Sequence, residues 1–154
     1  MCVIIDTNQF GLAFGTPPDP RYAPVLAWVD ARGAIVYGGT RYGQELGGHK
    51  GAVRFLGERF RAGRAIRCNS DVVDARAEQL RSKRMCQSDD EHIVALALVS
   101  GARTVCTKDA ALIKDLRGPR IISRPRCRVY QRSQHVHLLR HTLGCPRPRR
   151  SPRG

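Results

Sequence analysis

The chain has 154 residues, 27 of them Lys or Arg and 13 Asp or Glu, for a formal net charge of +14. That length suits one domain with its own core rather than two, and an apolar content of 42% excludes wholesale disorder. The longest apolar run, Ile93 to Val99, is seven residues, against about 20 for a spanning helix, so no membrane span is expected. The opening Met-Cys-Val-Ile-Ile-Asp lacks the basic lead-in and long apolar stretch of a secretory signal. The expected setting is therefore the cytoplasm. The six cysteines form no Cys-x-x-Cys pair and read as free thiols of a reducing compartment.

The elements alternate along the chain. Cys2 to Ile5 is β-rich and apolar on both faces, as a central parallel strand requires. After the proline loop at Pro17, Pro18 and Pro20, a helix is predicted from about Arg21 to Ala31. Ala34 to Tyr37 is a second strand, ended by Gly38-Gly39. Thr40 is expected to cap one helix running from Arg41 to about Arg61, weakened by five glycines. Ala65 to Cys68 is a third strand, and Ser70 should cap a helix to about Met85. Ser88 and Glu91 have capping-box spacing and predict a helix from Asp89 to Ser100, stopped by Gly101. Thr104 to Thr107 is a strand, Ala110 to Leu116 a short helix, and Ile121-Ile122 a last strand. Strands alternating with helices predict an α/β domain whose parallel sheet is covered on both faces.

Charge is unevenly spread. Residues 1–116 carry 16 basic and 13 acidic residues, whereas residues 117–154 carry 11 Arg and no acid. Arginine grips phosphate bidentately and stacks on bases, so this arm points to a polyanionic partner, nucleic acid first. Its end, residues 146–154, has no apolar residue and is expected to be disordered. The histidines and cysteines of the arm (Cys127, His135, His137, His141, Cys145) lack the paired spacing of a zinc site.

The acids fall at meaningful places on this map. Asp6 ends the first strand, Asp109 follows the Thr104 strand, Asp90 opens a helix and Glu45 lies one turn into another. Ligand sites of open α/β sheets form at the carboxyl ends of strands. A carboxylate after Val-Ile-Ile is costly to bury unless it is paired or holds an ion. Four such acids repel unless a cation shares the cleft. All-oxygen ligands suit Mg²⁺ or Mn²⁺, and such ions serve phosphodiester hydrolysis. Asp89 and Glu91 read as acids that complement the helix dipole. His92, two residues from Asp90 and nearly on the opposite side of the helix, reads as structural.

Four segments carry a resemblance. Val-Ile-Ile-Asp6-Thr-Asn8 resembles the opening motif of PIN-domain nucleases. Tyr42-Gly-Gln-Glu45-Leu resembles their segment with a helical Glu. Asp90-Glu-His-Ile-Val-Ala-Leu-Ala resembles their third acidic motif, and Val105-Cys-Thr107-Lys-Asp109 their Thr-x-Asp motif. The order and spacing match over about residues 1–123. The resemblance implies a Rossmann-like three-layer α/β/α sandwich with a central parallel sheet, and a metal-dependent endoribonuclease. By that resemblance Asp6, Glu45, Asp90 and Asp109 form the catalytic and metal-holding quartet around Mg²⁺ or Mn²⁺. Asn8 and Thr107 support it. A nuclease domain over residues 1–125 would be followed by a basic arm, 126–154, in which Arg128, Arg132, Arg140, Arg147, Arg149 and Arg150 hold RNA. Small PIN proteins include toxins held by a cognate antitoxin, as well as RNA-processing enzymes, and a homodimer is the family's expectation. Two other readings stay open: a PIN fold that binds RNA or a partner without catalysis, and a DNA-directed nuclease of the flap type.

Overall fold

The computed structural model describes residues 2–123 and 125–141. In chain order, β1 (Cys2–Ile5) is followed by a 3-10 turn (Thr7–Gln9), α1 (Phe10–Ala13), α2 (Ala23–Ala31) and β2 (Ala34–Gly38). Then come α3 (Thr40–Gly47), α4 (Lys50–Arg61), β3 (Ala65–Cys68), α5 (Ser70–Ser82) and α6 (Glu91–Ser100). β4 (Thr104–Cys106), α7 (Ala110–Arg117), β5 (Arg128–Tyr130) and a 3-10 segment (Ser133–His141) complete the order. The five strands form one sheet in the order β3-β2-β1-β4-β5, with every pairing parallel. The fold is α/β, a Rossmann-like three-layer sandwich.

The apolar strands go where their composition sends them. All four residues of β1 are fully buried between β2 and β4, because a central strand covered on both faces has no wet side to offer. Val3 stands opposite Ile35 on one side and Thr104 on the other, and Ile5 opposite Cys106. The chain leaves β1 toward β2 on one side, and β4 packs on the other. The strand order therefore reverses between β1 and β4, the topological switch point at which such sheets bind ligands.

The helices differ from the sequence reading in instructive ways. The single helix expected over 41–61 is two. Gly47 and Gly48 interrupt it, and His49 Nδ1 then caps α4 by accepting from the Ala52 amide at 3.0 Å. Thr40 is the first residue of α3, not its cap. Gly39 holds the cap position at φ +94°, in the left-handed region, and the Thr40 amide donates to Asp74 at 2.8 Å. Asn69 rather than Ser70 caps α5, accepting from the Val72 amide. The capping box does not form. α6 starts at Glu91, Asp90 is its cap residue without a capping side-chain bond, and Ser88 is engaged elsewhere. Gly101 ends α6 in the left-handed conformation as expected.

The last strand is also a correction. The amides of Ile121 and Ile122 both donate to the Gly118 carbonyl, at 3.1 and 3.2 Å. A turn has used the donors a ladder would need. Arg128–Tyr130 pairs with β4 in their place, and Cys127, Tyr130 and Leu139 are buried in the core. The sheet and core thus run past residue 125, where the domain was expected to stop. The expected disordered end, 146–154, lies outside the described residues. Cys68, Cys86, Cys106 and Cys127 carry free thiols. Cys2 is disulfide-bonded, which corrects the reading of six free thiols. Among the described residues no helix is long and apolar enough to cross a membrane.

Candidate functional site

The site grows from the carboxyl ends of β1 and β4. The Asp6 amide continues the ladder onto the Cys106 carbonyl at 3.0 Å, which fixes the residue beyond β1 against the end of β4. Its side chain is only 1% exposed. One carboxylate oxygen accepts the Thr107 hydroxyl at 2.7 Å, and the other faces the Asn8 amide at 3.4 Å. Burial raises the Asp6 pKa, and the Thr107 and Asn8 hydrogen bonds pull it back.

Thr107 is a hinge between two acids. Its hydroxyl donates to Asp6 and accepts the Asp109 amide at 3.1 Å. Asp109 in turn caps α7, one oxygen accepting from the Leu112 amide at 2.9 Å. Thr107 thus touches both Asp6 and the backbone of Asp109 directly. The Asn8 side chain is exposed, and the contact of Asn8 with Asp6 comes from its backbone.

Glu45 comes from α3 and is half-buried. Three donors from three elements hold it: the Thr7 hydroxyl, the Arg41 guanidinium at 3.3 Å and His92 Nε2 at 3.3 Å. Arg41 also reaches the Asp89 carbonyl, so it straps α3 to the loop before α6. Asp90, at the mouth of α6, has a carboxylate with no hydrogen bond among the described residues. Its pKa is pushed up to about 6, first by burial, then by the charges of Asp6 and Asp109, with Glu45 adding to the rise and Arg41 opposing it. Asp6, Glu45 and Asp109 therefore lie within electrostatic reach of Asp90.

Three participants went unread in the sequence. Thr7 follows Asp6 directly, but a threonine carries no signal of its partner. Arg41 is four residues before Glu45, a spacing that marks a helical ion pair and could have been used. His92, which reads as structural, is 4% exposed and touches Glu45. Glu45 reaches it from α3. Burial lowers the His92 pKa against the opposing pull of Glu45, and its Nδ1 has no partner among the described residues.

The donor set suits a hard divalent ion. It is all oxygen, and Asp90 and Asp109 each keep a carboxylate oxygen without a hydrogen bond among the described residues. Among those residues no three His, Cys, Asp or Glu side chains close into a ready-made cage. Mg²⁺ asks less than that, since it retains several waters and is commonly held through one or two carboxylates. Among the described residues, His135, His137 and Cys127 form no such group either. His135 Nδ1 instead accepts from the Gln131 amide at 3.1 Å.

Arg128, Arg132 and Arg140 are exposed. Arg128 opens the edge strand β5 opposite Thr104, at the end of the sheet away from Asp6 and Thr107. Arg147, Arg149 and Arg150 lie outside the described residues. Compared with family models, curated proteins and solved structures, the chain matches none of them.

Proposed function

We propose that this chain is a divalent-metal-dependent ribonuclease of the PIN type, with its site in the cleft between β1 and β4. The observation that supports the reading is the Thr107 hydroxyl joining Asp6, at the end of β1, to the backbone of Asp109, beyond the end of β4, at the switch point, with Asp90 near enough that burial and then the charges of Asp6 and Asp109 push its pKa up to about 6. A metal ion relieves that repulsion. Asp90 and Asp109, with free oxygens, are the direct holders, and Asp6 is oriented behind them by Thr107. Glu45, already gripped by Thr7, Arg41 and His92, serves as an acceptor at the rim.

Bound there, Mg²⁺ or Mn²⁺ would supply the positive charge that activates a water and stabilises the leaving oxygen of a phosphodiester. The protein's own part is to hold the carboxylates apart and ionised, and to present RNA. Eleven arginines and no acid after residue 116 favour a polyanionic substrate. A cytoplasmic setting, a cognate antitoxin and a second copy of the chain are the location and partners that go with this reading. Labelled single-stranded RNA and flapped DNA, each incubated with the protein in Mg²⁺, Mn²⁺ or EDTA, test it. Cleavage of RNA that EDTA abolishes is expected. RNA binding without cleavage would make this a binding module, and cleavage confined to flapped DNA would make it a DNA-directed enzyme.

A further inference from the structure

Asp115 is a buried carboxylate that the cleft does not use. It lies in the last turn of α7 and is 3% exposed. Its two oxygens accept three bonds from one short loop: the Gln87 amide at 2.8 Å, the Ser88 amide at 2.9 Å and the Ser88 hydroxyl at 2.6 Å. Two successive amides and a hydroxyl aimed at one anion make a compact nest. Ser88 is itself buried, and its hydroxyl oxygen accepts the Asp90 amide at 3.3 Å. A continuous chain of bonds therefore runs from α7, through Ser88, to the backbone of Asp90.

The Asp90 carboxylate has no hydrogen bond among the described residues, so its place in the cleft depends on where its backbone is held. α7 also carries Asp109 at its first cap. Asp109 and Asp115 are six residues apart, about 9 Å along a helix axis. One rigid helix thus presents one acid of the cleft at its start and anchors the loop bearing another near its end. We infer that Asp115 is a positioning residue, which sets Asp90 against Asp109 by clamping the 87–90 loop through Ser88. The importance of this spacing for catalysis rests on the nuclease reading above. The clamp itself does not.

Two measurements on the full-length protein decide it. In the metal-free state, amide hydrogen exchange followed by NMR compares wild type with Asp115→Asn. The Asp90 amide bonds to Ser88 and not to Asp115, so its exchange reports the clamp indirectly. It should quicken about tenfold, while amides of Ile4 and Val105 in the central strands stay near wild type. Should Asp115→Asn fail to fold, Ser88→Ala is the milder variant, removing the hydroxyl and leaving both amides bonded to Asp115. For Ser88→Ala, the affinity for Mn²⁺ alone, measured by the paramagnetic resonance of the free ion, should weaken roughly tenfold, as when a supporting group behind a metal ligand is lost. Exchange at Asp90 that rises no more than in the strands, or Mn²⁺ affinity unchanged in Ser88→Ala, overturns the proposal. Wild-type protein that binds no Mn²⁺, with the local loosening still present, overturns the metal reading of the cleft and leaves the clamp standing.

Discussion

Thr107 donates its hydroxyl proton to Asp6 across 101 residues of sequence, at 2.7 Å and with both side chains buried. The same oxygen accepts the amide of Asp109. One small side chain thereby ties the end of β1 to the end of β4 and to the cap of α7. Removing it should cost more than one hydrogen bond, because it leaves a buried carboxylate and an amide unsatisfied. Thr107→Val, of similar shape, is expected to lose about 1–3 kcal/mol of stability, whereas Thr107→Ser should keep most of it. Urea unfolding of the three proteins would measure this. A Thr107→Val midpoint equal to wild type would show that water takes over the role.

Asp90 should make the metal-free protein less stable at neutral pH. Its pKa is raised from 3.8 to about 6, so between those values the folded state binds more protons than the unfolded chain. Stability then falls as pH rises through that window, and the full penalty is present above it. Asp90→Asn removes the ionisation. The variant should be more stable than wild type at pH 7.5, by at most about 2 kcal/mol for a half-buried group screened by solvent. Near pH 4 the two proteins should converge. Thermal melts in EDTA at both values test the sign, and a less stable Asp90→Asn at pH 7.5 would contradict it.

Much of this site was legible in the chain itself, and the illegible parts share a cause. β1 announces itself because four apolar residues in a row suit a strand buried on both faces, and an acid directly after it marks the edge where ligands bind. Ser88 misleads because capping-box spacing is a local signal, whereas the Asp115 carboxylate, 27 residues away, competes for the same hydroxyl and wins. β5 is hidden because Arg-Val-Tyr is short and sits in a cationic stretch. What makes it a strand is the open edge of β4, a fact of the sheet and not of the segment. The contact of His92 with Glu45 is hidden for the same reason: Glu45 arrives from another helix.

Metal should stabilise the fold through the acids. An ion that binds the folded cleft and not the unfolded chain adds about 2.7 kcal/mol at a hundredfold excess over its dissociation constant. In a domain of this size that is a rise of roughly 5–10 °C in melting temperature. The rise should shrink in Asp6→Asn and Asp90→Asn, persist in Asp89→Asn, and fade at low pH as the carboxylates take up protons. Asp6→Asn and Asp90→Asn should also lower RNA cleavage at least about a hundredfold, the scale seen when electrostatic stabilisation is lost from a site. Melts with Mg²⁺, Mn²⁺, Zn²⁺ and EDTA separate the alternatives. A shift given by Zn²⁺ alone would move the metal site to the Cys and His residues of the arm.

The arm should contribute affinity and not chemistry. Deleting residues 146–154 removes Arg147, Arg149, Arg150 and Arg153, far in sequence from every acid of the cleft. Each phosphate contact to a single strand adds about 0.7 to the slope of log affinity against log salt. If all four arginines engage RNA, the slope should therefore fall by roughly 3. Turnover at saturating RNA should change little, since the deletion leaves Asp6, Glu45, Asp90 and Asp109 in place. Arg132→Ala and Arg140→Ala, on exposed positions of the folded part, should each take about 0.7 more from the slope without lowering the melting temperature. Filter binding of a labelled single-stranded RNA between low and moderate salt reads the slopes directly. A slope unchanged by the deletion would place RNA on the folded domain alone, with the exposed arginines of the described residues as its first candidates.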